Sequence, residues 1–143
     1  MHSDMVKAEQ GVTSLCSTDQ GRVLMAWHGD ANHVAVSYVE AHSRRFCVFD
    51  QDGELISCLQ HTDTVEEALA YRPTGNLIAT SAVRDGFRHI VLHERNGQRR
   101  SEFELGPCEL GSVIEWMGWN TDGNILAVRL RNERFTEQGI DQY

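Results

Sequence analysis

At 143 residues, 41% hydrophobic and 24% charged, the chain is long enough for one domain with a real core. Its net charge of −8, from 13 Lys and Arg against 21 Asp and Glu, excludes the broad basic stripe of a nucleic-acid binder, so direct nucleic-acid binding is not expected. No apolar run reaches the about 18 residues a membrane span needs. The stretch Met1 to Lys7 lacks a signal-type apolar core, so the expected location is the cytoplasm, with the nucleus second.

Residues 1–21 read as a polar N-terminal segment that closes on the turn signal Asp19-Gln20-Gly21. Strand-like segments then follow at 22–27, 33–39, 44–50 and 54–59, at 67–71, 76–82, 88–94 and 98–104, and at 113–119 and 124–130. Residues 131–143 read as a polar C-terminal tail or the start of a further strand. Phe46 to Phe49 and Leu77 to Ala79 are apolar at consecutive positions, the mark of strands covered on both faces.

One phrase is written three times along these segments. Trp27, Tyr71 and Trp119 are each followed five residues later by Asn (Asn32, Asn76, Asn124) and eight later by Ala (Ala35, Ala79, Ala127). A spacing in the mid-forties is that of a β-propeller blade. The expected fold is therefore all-β: a partial WD40-type β-propeller of about two and a half four-stranded antiparallel blades over residues 22–130. Within the phrase, the aromatic residue should bury its ring between blades. Asp30, Thr74-Gly75 and Asp122-Gly123 should make the tight turn, and the Ala should mark where the next sheet comes close. Asp52-Gly53 and Asn96-Gly97, 44 residues apart, read as type I′ hairpin turns joining the third and fourth strands of successive blades.

Residues that could carry chemistry read as structural. His89 and His93 are four apart on a strand, roughly 13 Å at about 3.3 Å per residue, too far to share one zinc. His61-Thr62-Asp63 reads as a loop histidine hydrogen-bonded to an Asp. Glu66-Glu67, Glu102 and Glu104, and the pairs Arg44-Arg45 and Arg99-Arg100, read as solvent-facing charge. Cys16, Cys47, Cys58 and Cys108 show no metal spacing and read as reduced thiols, most of them in the core. Neither a nucleophile elbow nor a Gly-rich phosphate loop occurs. No catalytic, cofactor-binding or metal residue is assigned, no cofactor is expected, and the chain is not expected to be an enzyme.

Certain stretches carry a resemblance: Trp27-His28-Gly29-Asp30, Val34-Ala35-Val36-Ser37, Arg45-Phe46-Cys47-Val48-Phe49, Ala68 through Ala79, Glu94-Arg95-Asn96-Gly97 and Trp119 through Val128. In order and spacing they resemble the N-terminal WD40-type propeller of the IKAP family, the largest subunit of the Elongator complex. The resemblance implies a non-catalytic scaffold for tRNA wobble-uridine modification, assembled with the other Elongator subunits, including the catalytic radical S-adenosylmethionine and acetyltransferase subunit. Self-association through open blade edges is a second expectation. The alternative is a small β-sandwich enzyme or ligand-binding protein unrelated to Elongator.

Overall fold

The computed structural model describes residues 15–61 and 63–132, so Thr62 and the ends 1–14 and 133–143, which include most of the polar N-terminal segment and of the C-terminal tail read from the sequence, lie outside the described residues. Ten strands follow in order: β1 Leu24–Trp27, β2 His33–Glu40, β3 Ser43–Asp50, β4 Leu55–Cys58, β5 Thr64–Tyr71, β6 Leu77–Arg84, β7 Phe87–Glu94, β8 Arg99–Pro107, β9 Ser112–Trp119 and β10 Leu126–Asn132. They form antiparallel sheets in the orders β1-β2-β3-β4, β5-β6-β7-β8 and β10-β9. Leu77 starts β6 44 residues after His33 starts β2, and Phe87 starts β7 44 after Ser43 starts β3, so the sequence period is the period of the sheets.

Two apolar cores hold the sheets face to face. Between the first and second lie Ala35, Phe46, Val48, Leu59, Leu69, Tyr71, Ile78 and Val91, with Leu24 and Ala26 against them. Between the second and third lie Ala68, Ala70, Ala79, Ile90, Ile114 and Met117, with Trp119, Leu126 and Val128 packed on them. The second sheet is therefore covered on both sides, which is why its segments are apolar at consecutive positions. This is serial stacking of blades, not the two-sheet sandwich of the alternative reading.

The turns depart from expectation. At Asp50–Glu54 and Glu94–Gln98 three residues separate the paired strand ends, and Asp50 and Glu94 accept from the glycine amides at 3.1 and 2.9 Å. Among the turn residues only Gly53 (φ 82°) and Gly97 (φ 94°) are left-handed; Asp52 and Asn96 are not. A three-residue loop takes a type I turn closed by one left-handed residue, so the Asp-Gly and Asn-Gly pairs do not make type I′ turns here. Both central residues are left-handed instead in the two-residue loops Ala41-His42 (φ 51° and 63°) and Asp85-Gly86 (φ 53° and 79°), which join β2 to β3 and β6 to β7.

Candidate interaction surfaces

The thrice-written phrase ends each inner strand, β1, β5 and β9, and its turns interlock. His28 Nε2 donates to the Gly75 carbonyl at 2.7 Å, and Arg72 Nε donates to the Gly123 carbonyl at 2.7 Å. The residue after each aromatic thus latches onto the fourth residue after the next one. Asn32, Asn76 and Asn124 are exposed in these turns; the Asn32 amide donates to Asp30 Oδ1 at 2.8 Å and the Asn124 amide to Asn120 Oδ1 at 3.0 Å. The turn conformation needs a left-handed residue four after the aromatic. Gly75 and Gly123 supply it, whereas the first copy uses Ala31 (φ 62°).

The aromatic residues do not share one fate. Tyr71 is buried, Trp119 is partly buried and donates its indole N–H to the Ala70 carbonyl at 3.2 Å, but Trp27 is 54% exposed. The ring packs on the sheet before it, and among the described residues no sheet precedes the first. The same logic runs in reverse for the alanines: Ala35 and Ala79 are fully buried beneath the following sheet, and Ala127, with no described sheet after it, is exposed. The three inner strands line a cavity of about 370 Å³ that includes Met25, Trp27, Tyr71, Trp116 and Trp119.

Several charges read as solvent-facing are buried. In β5 the pairing slips between Val65 and Leu69, so Glu66, Glu67 and Ala68 crowd opposite Ser81. Glu66 and Glu67 point to opposite faces, as adjacent strand residues do, and because this sheet is covered on both faces both are buried. Glu67 reaches the first sheet, where it meets Arg44 at 3.2 Å and Arg22 at 2.8 Å. Arg44 also grips both oxygens of Asp19, at 2.9 and 2.5 Å, so the segment read as an N-terminal tail is tied into the first blade at this point. Burial opposes the Asp19 charge, but the Arg44 hydrogen bonds outweigh it and hold the carboxyl below its ordinary range. Glu66 turns the other way, taking Arg88 Nε and Nη2 at 2.6 and 2.8 Å and Ser81 Oγ at 3.0 Å, while Arg88 continues to the Ser112 hydroxyl and carbonyl on β9 at 3.0 and 3.1 Å. Arg44 and Arg88 are 44 residues apart, as are Ser37 and Ser81, which sit beside them. Arg45, Arg99, Arg100, Glu102 and Glu104 remain at or near the surface.

The histidines also differ from their reading. His93 is fully buried and His61 packs beside it, ring centroids 4.6 Å apart, with Phe46 5.1 Å from His61 on the other side. His61 Nε2 and both His93 nitrogens are buried without a hydrogen-bond partner. Asp63 pairs with Arg84 at 3.0 Å, not with His61. Burial pushes the His61 imidazole down to about 3 and His93 to about 4. Of the cysteines only Cys47 is buried; Cys58, opposite it on β4, is exposed. Among the described residues no cluster of three His, Cys, Asp or Glu could hold a metal ion, and no helix is long and apolar enough to cross a membrane.

Two stacked four-stranded sheets and the two described strands of a third, joined by repeated turns and clamps, define a β-propeller module. A solved structure with the same architecture, TolB from Acinetobacter baumannii, superposes with a TM-score of 0.53 at 16% identity over 77% of this chain and 29% of its own, a likeness of fold alone. The chain belongs to the family of the ELP1 first N-terminal beta-propeller, whose sequence description matches residues 2–140. It is 31% identical over 129 residues to Elongator complex protein 1 of Schizosaccharomyces pombe, covering 88% of this chain and 10% of that protein. The Drosophila melanogaster protein of that name is 35% identical over 109 residues, covering 75% and 9%. The Saccharomyces cerevisiae one is 31% identical over 130 residues, covering 80% and 10%. The chain thus spans about a tenth of the length of these relatives.

Proposed function

We propose that the chain is a non-catalytic, WD40-type interaction module of the Elongator scaffold, supporting tRNA wobble-uridine modification by protein–protein assembly. The observation that carries the reading is the use made of its buried ionic groups. Arg44 and Arg88, with Asp19, Glu66 and Glu67, join one sheet to the next. Their charges are spent on holding blades together, and a scaffold needs rigid blades. The family membership supplies the assembly: the partners are the other Elongator subunits, the catalytic radical S-adenosylmethionine and acetyltransferase subunit among them, in the cytoplasm and also the nucleus. No cofactor, metal or membrane enters this role, and tRNA is contacted by other parts of the complex.

Affinity-tagged chain expressed in cells should recover Elongator subunits, detected by mass spectrometry. An Arg88→Glu variant, which places like charge against Glu66, should lose them. A chain that is folded by circular dichroism yet recovers no Elongator subunit overturns the reading.

A further inference from the structure

Two cysteines face each other at the outer side of the first sheet. Cys47 on β3 is paired in register with Cys58 on β4, and side chains directly opposite in an antiparallel pair stand on the same face. The neighbouring pair along the ladder is hydrogen-bonded, Leu59 donating its amide to the Phe46 carbonyl at 2.8 Å. Hydrogen-bonded and non-hydrogen-bonded pairs alternate, so Cys47 and Cys58 form a non-hydrogen-bonded pair, in which α-carbons lie about 4.5 Å apart and side chains come closest. That separation falls within the about 4.4–6.8 Å that a disulfide bridges. Both residues are thiols in this structure.

The surroundings give the two thiols unequal roles. Cys58 is exposed, on the strand beyond which the described sheet has no other, so a reagent reaches it from the edge of the sheet. Cys47 is buried, and its Sγ lies 3.4 Å from the Tyr38 hydroxyl. Burial first, and then the contact with Cys47, push the Tyr38 phenol up, so it keeps its proton and donates it to a Cys47 thiolate. β4 itself is lightly held: it has four residues, and its pairing slips just beyond the cysteines, between Val48 and Phe49.

We propose that Cys47 and Cys58 are a reversible redox pair that oxidises to a cross-strand disulfide and fastens β4 to its sheet. The oxidant is a small disulfide such as oxidised glutathione. The Cys58 thiolate attacks one of its sulfurs, forming a mixed disulfide and releasing one glutathione thiolate. Cys47 then attacks the Cys58 sulfur, the protein disulfide forms, and the second glutathione leaves. The two cysteine protons end on the two glutathione thiols, so one small disulfide is reduced for each protein disulfide made. Tyr38 is a positioning residue for the second step, its O–H donating to Cys47 as that thiol ionises. The pair lies within one sheet, so the inference goes beyond the assembly reading and holds whichever sheets flank the first.

The full chain, reduced and then exposed to oxidised glutathione, is alkylated and digested with trypsin. Arg72 precedes Pro73 and resists cleavage, so one peptide from Phe46 to Arg84 carries both cysteines. In wild type that peptide should escape alkylation and weigh about 2 Da less than its reduced form, and dithiothreitol should restore it. Cys47→Ser should stop at the mixed disulfide on Cys58, and Cys58→Ser should leave Cys47 as a thiol. Tyr38→Phe should form the mixed disulfide at the wild-type rate and close it several-fold more slowly, a split that a loss of packing would not give. Hydrogen exchange at residues 54–60 should slow about tenfold or more on oxidation. Wild type that stops at the Cys58 adduct, a peptide in which neither thiol reacts, or equal exchange in the two states each overturns the proposal, and unaltered closure in Tyr38→Phe overturns the role given to Tyr38.

Discussion

Acidification should unfold this chain through the interface between its first two sheets. His61 and His93 are neutral in the fold, with pKa values lowered to about 3 and about 4, against 6.5 for a free imidazole. Burial is the main cause for both; the nearby Gly97 backbone offsets only part of it at His93. Because the folded values lie below the unfolded one, the unfolded chain takes up more protons as pH falls below about 6.5, and stability drops with pH until the folded values are reached. Each ring contributes a slope of about 1.4 kcal/mol per pH unit in that window. From pH 7 to pH 5 the loss is about 2 kcal/mol per ring and about 4 kcal/mol for both, a large share of the 5–15 kcal/mol of an ordinary domain. Urea unfolding followed by tryptophan fluorescence, repeated at half-unit steps of pH, measures it. The double variant His61→Leu/His93→Leu, close in volume and without the orphaned nitrogens, should flatten the slope between pH 5 and 6.5. Equal slopes in wild type and variant would refute the reasoning.

Further substitutions test the backbone and the clamps. Gly97→Ala should cost about 3 kcal/mol, since it adds left-handed strain to a Cβ placed 2.5 Å from the Cys58 carbonyl, whereas Gly53→Ala, with open space at its Cβ, should cost only about 1 kcal/mol. Paired urea titrations compare them. Ala31→Gly should stabilise by about 1 kcal/mol, raising the unfolding midpoint, because it relieves the left-handed alanine that the other two copies replace with glycine. Arg88→Met should cost about 3–5 kcal/mol by stranding Glu66, which is 2% exposed, and adding Glu66→Leu should recover most of that loss in the same assay.

The ten strands were legible because two signals with independent physical origins coincide: a repeat near 44 residues and turn residues that punctuate it. What stayed hidden depended on the neighbours of a residue. Trp27 and Trp119 occupy the same place in the phrase, yet one is exposed and the other packed, because burial is set by the sheet in front. Glu66 and Glu67 look like solvent-facing charge until it is known that their sheet is covered on both faces, since adjacent side chains of a strand point to opposite faces and both are then buried. A signal for them was nonetheless present. Ser37 with Arg44 and Ser81 with Arg88 recur at the repeat distance, and a charge repeated in register with buried residues implies a repeated buried partner. Turn type was misread for a different reason: loop length decided it, and the Asn-Gly and Asp-Gly pairs fit more than one loop length.

The three devices that join the sheets act on different aspects of one geometry. Apolar stacking at Ala35, Tyr71, Ala79 and Trp119 sets the distance between sheets but has little directional preference. The buried clamps at Arg44 and Arg88 need donors and acceptors in fixed places, so they resist sliding of one sheet over the next. The rim latches at His28 and Arg72 bond backbone carbonyls of the adjacent turn and so fix the angle at which the sheets fan out. All three recur at both interfaces between the described sheets, so spacing, register and fan angle are set twice over by the same devices, and loss of any one device should loosen the stack along the coordinate which that device controls.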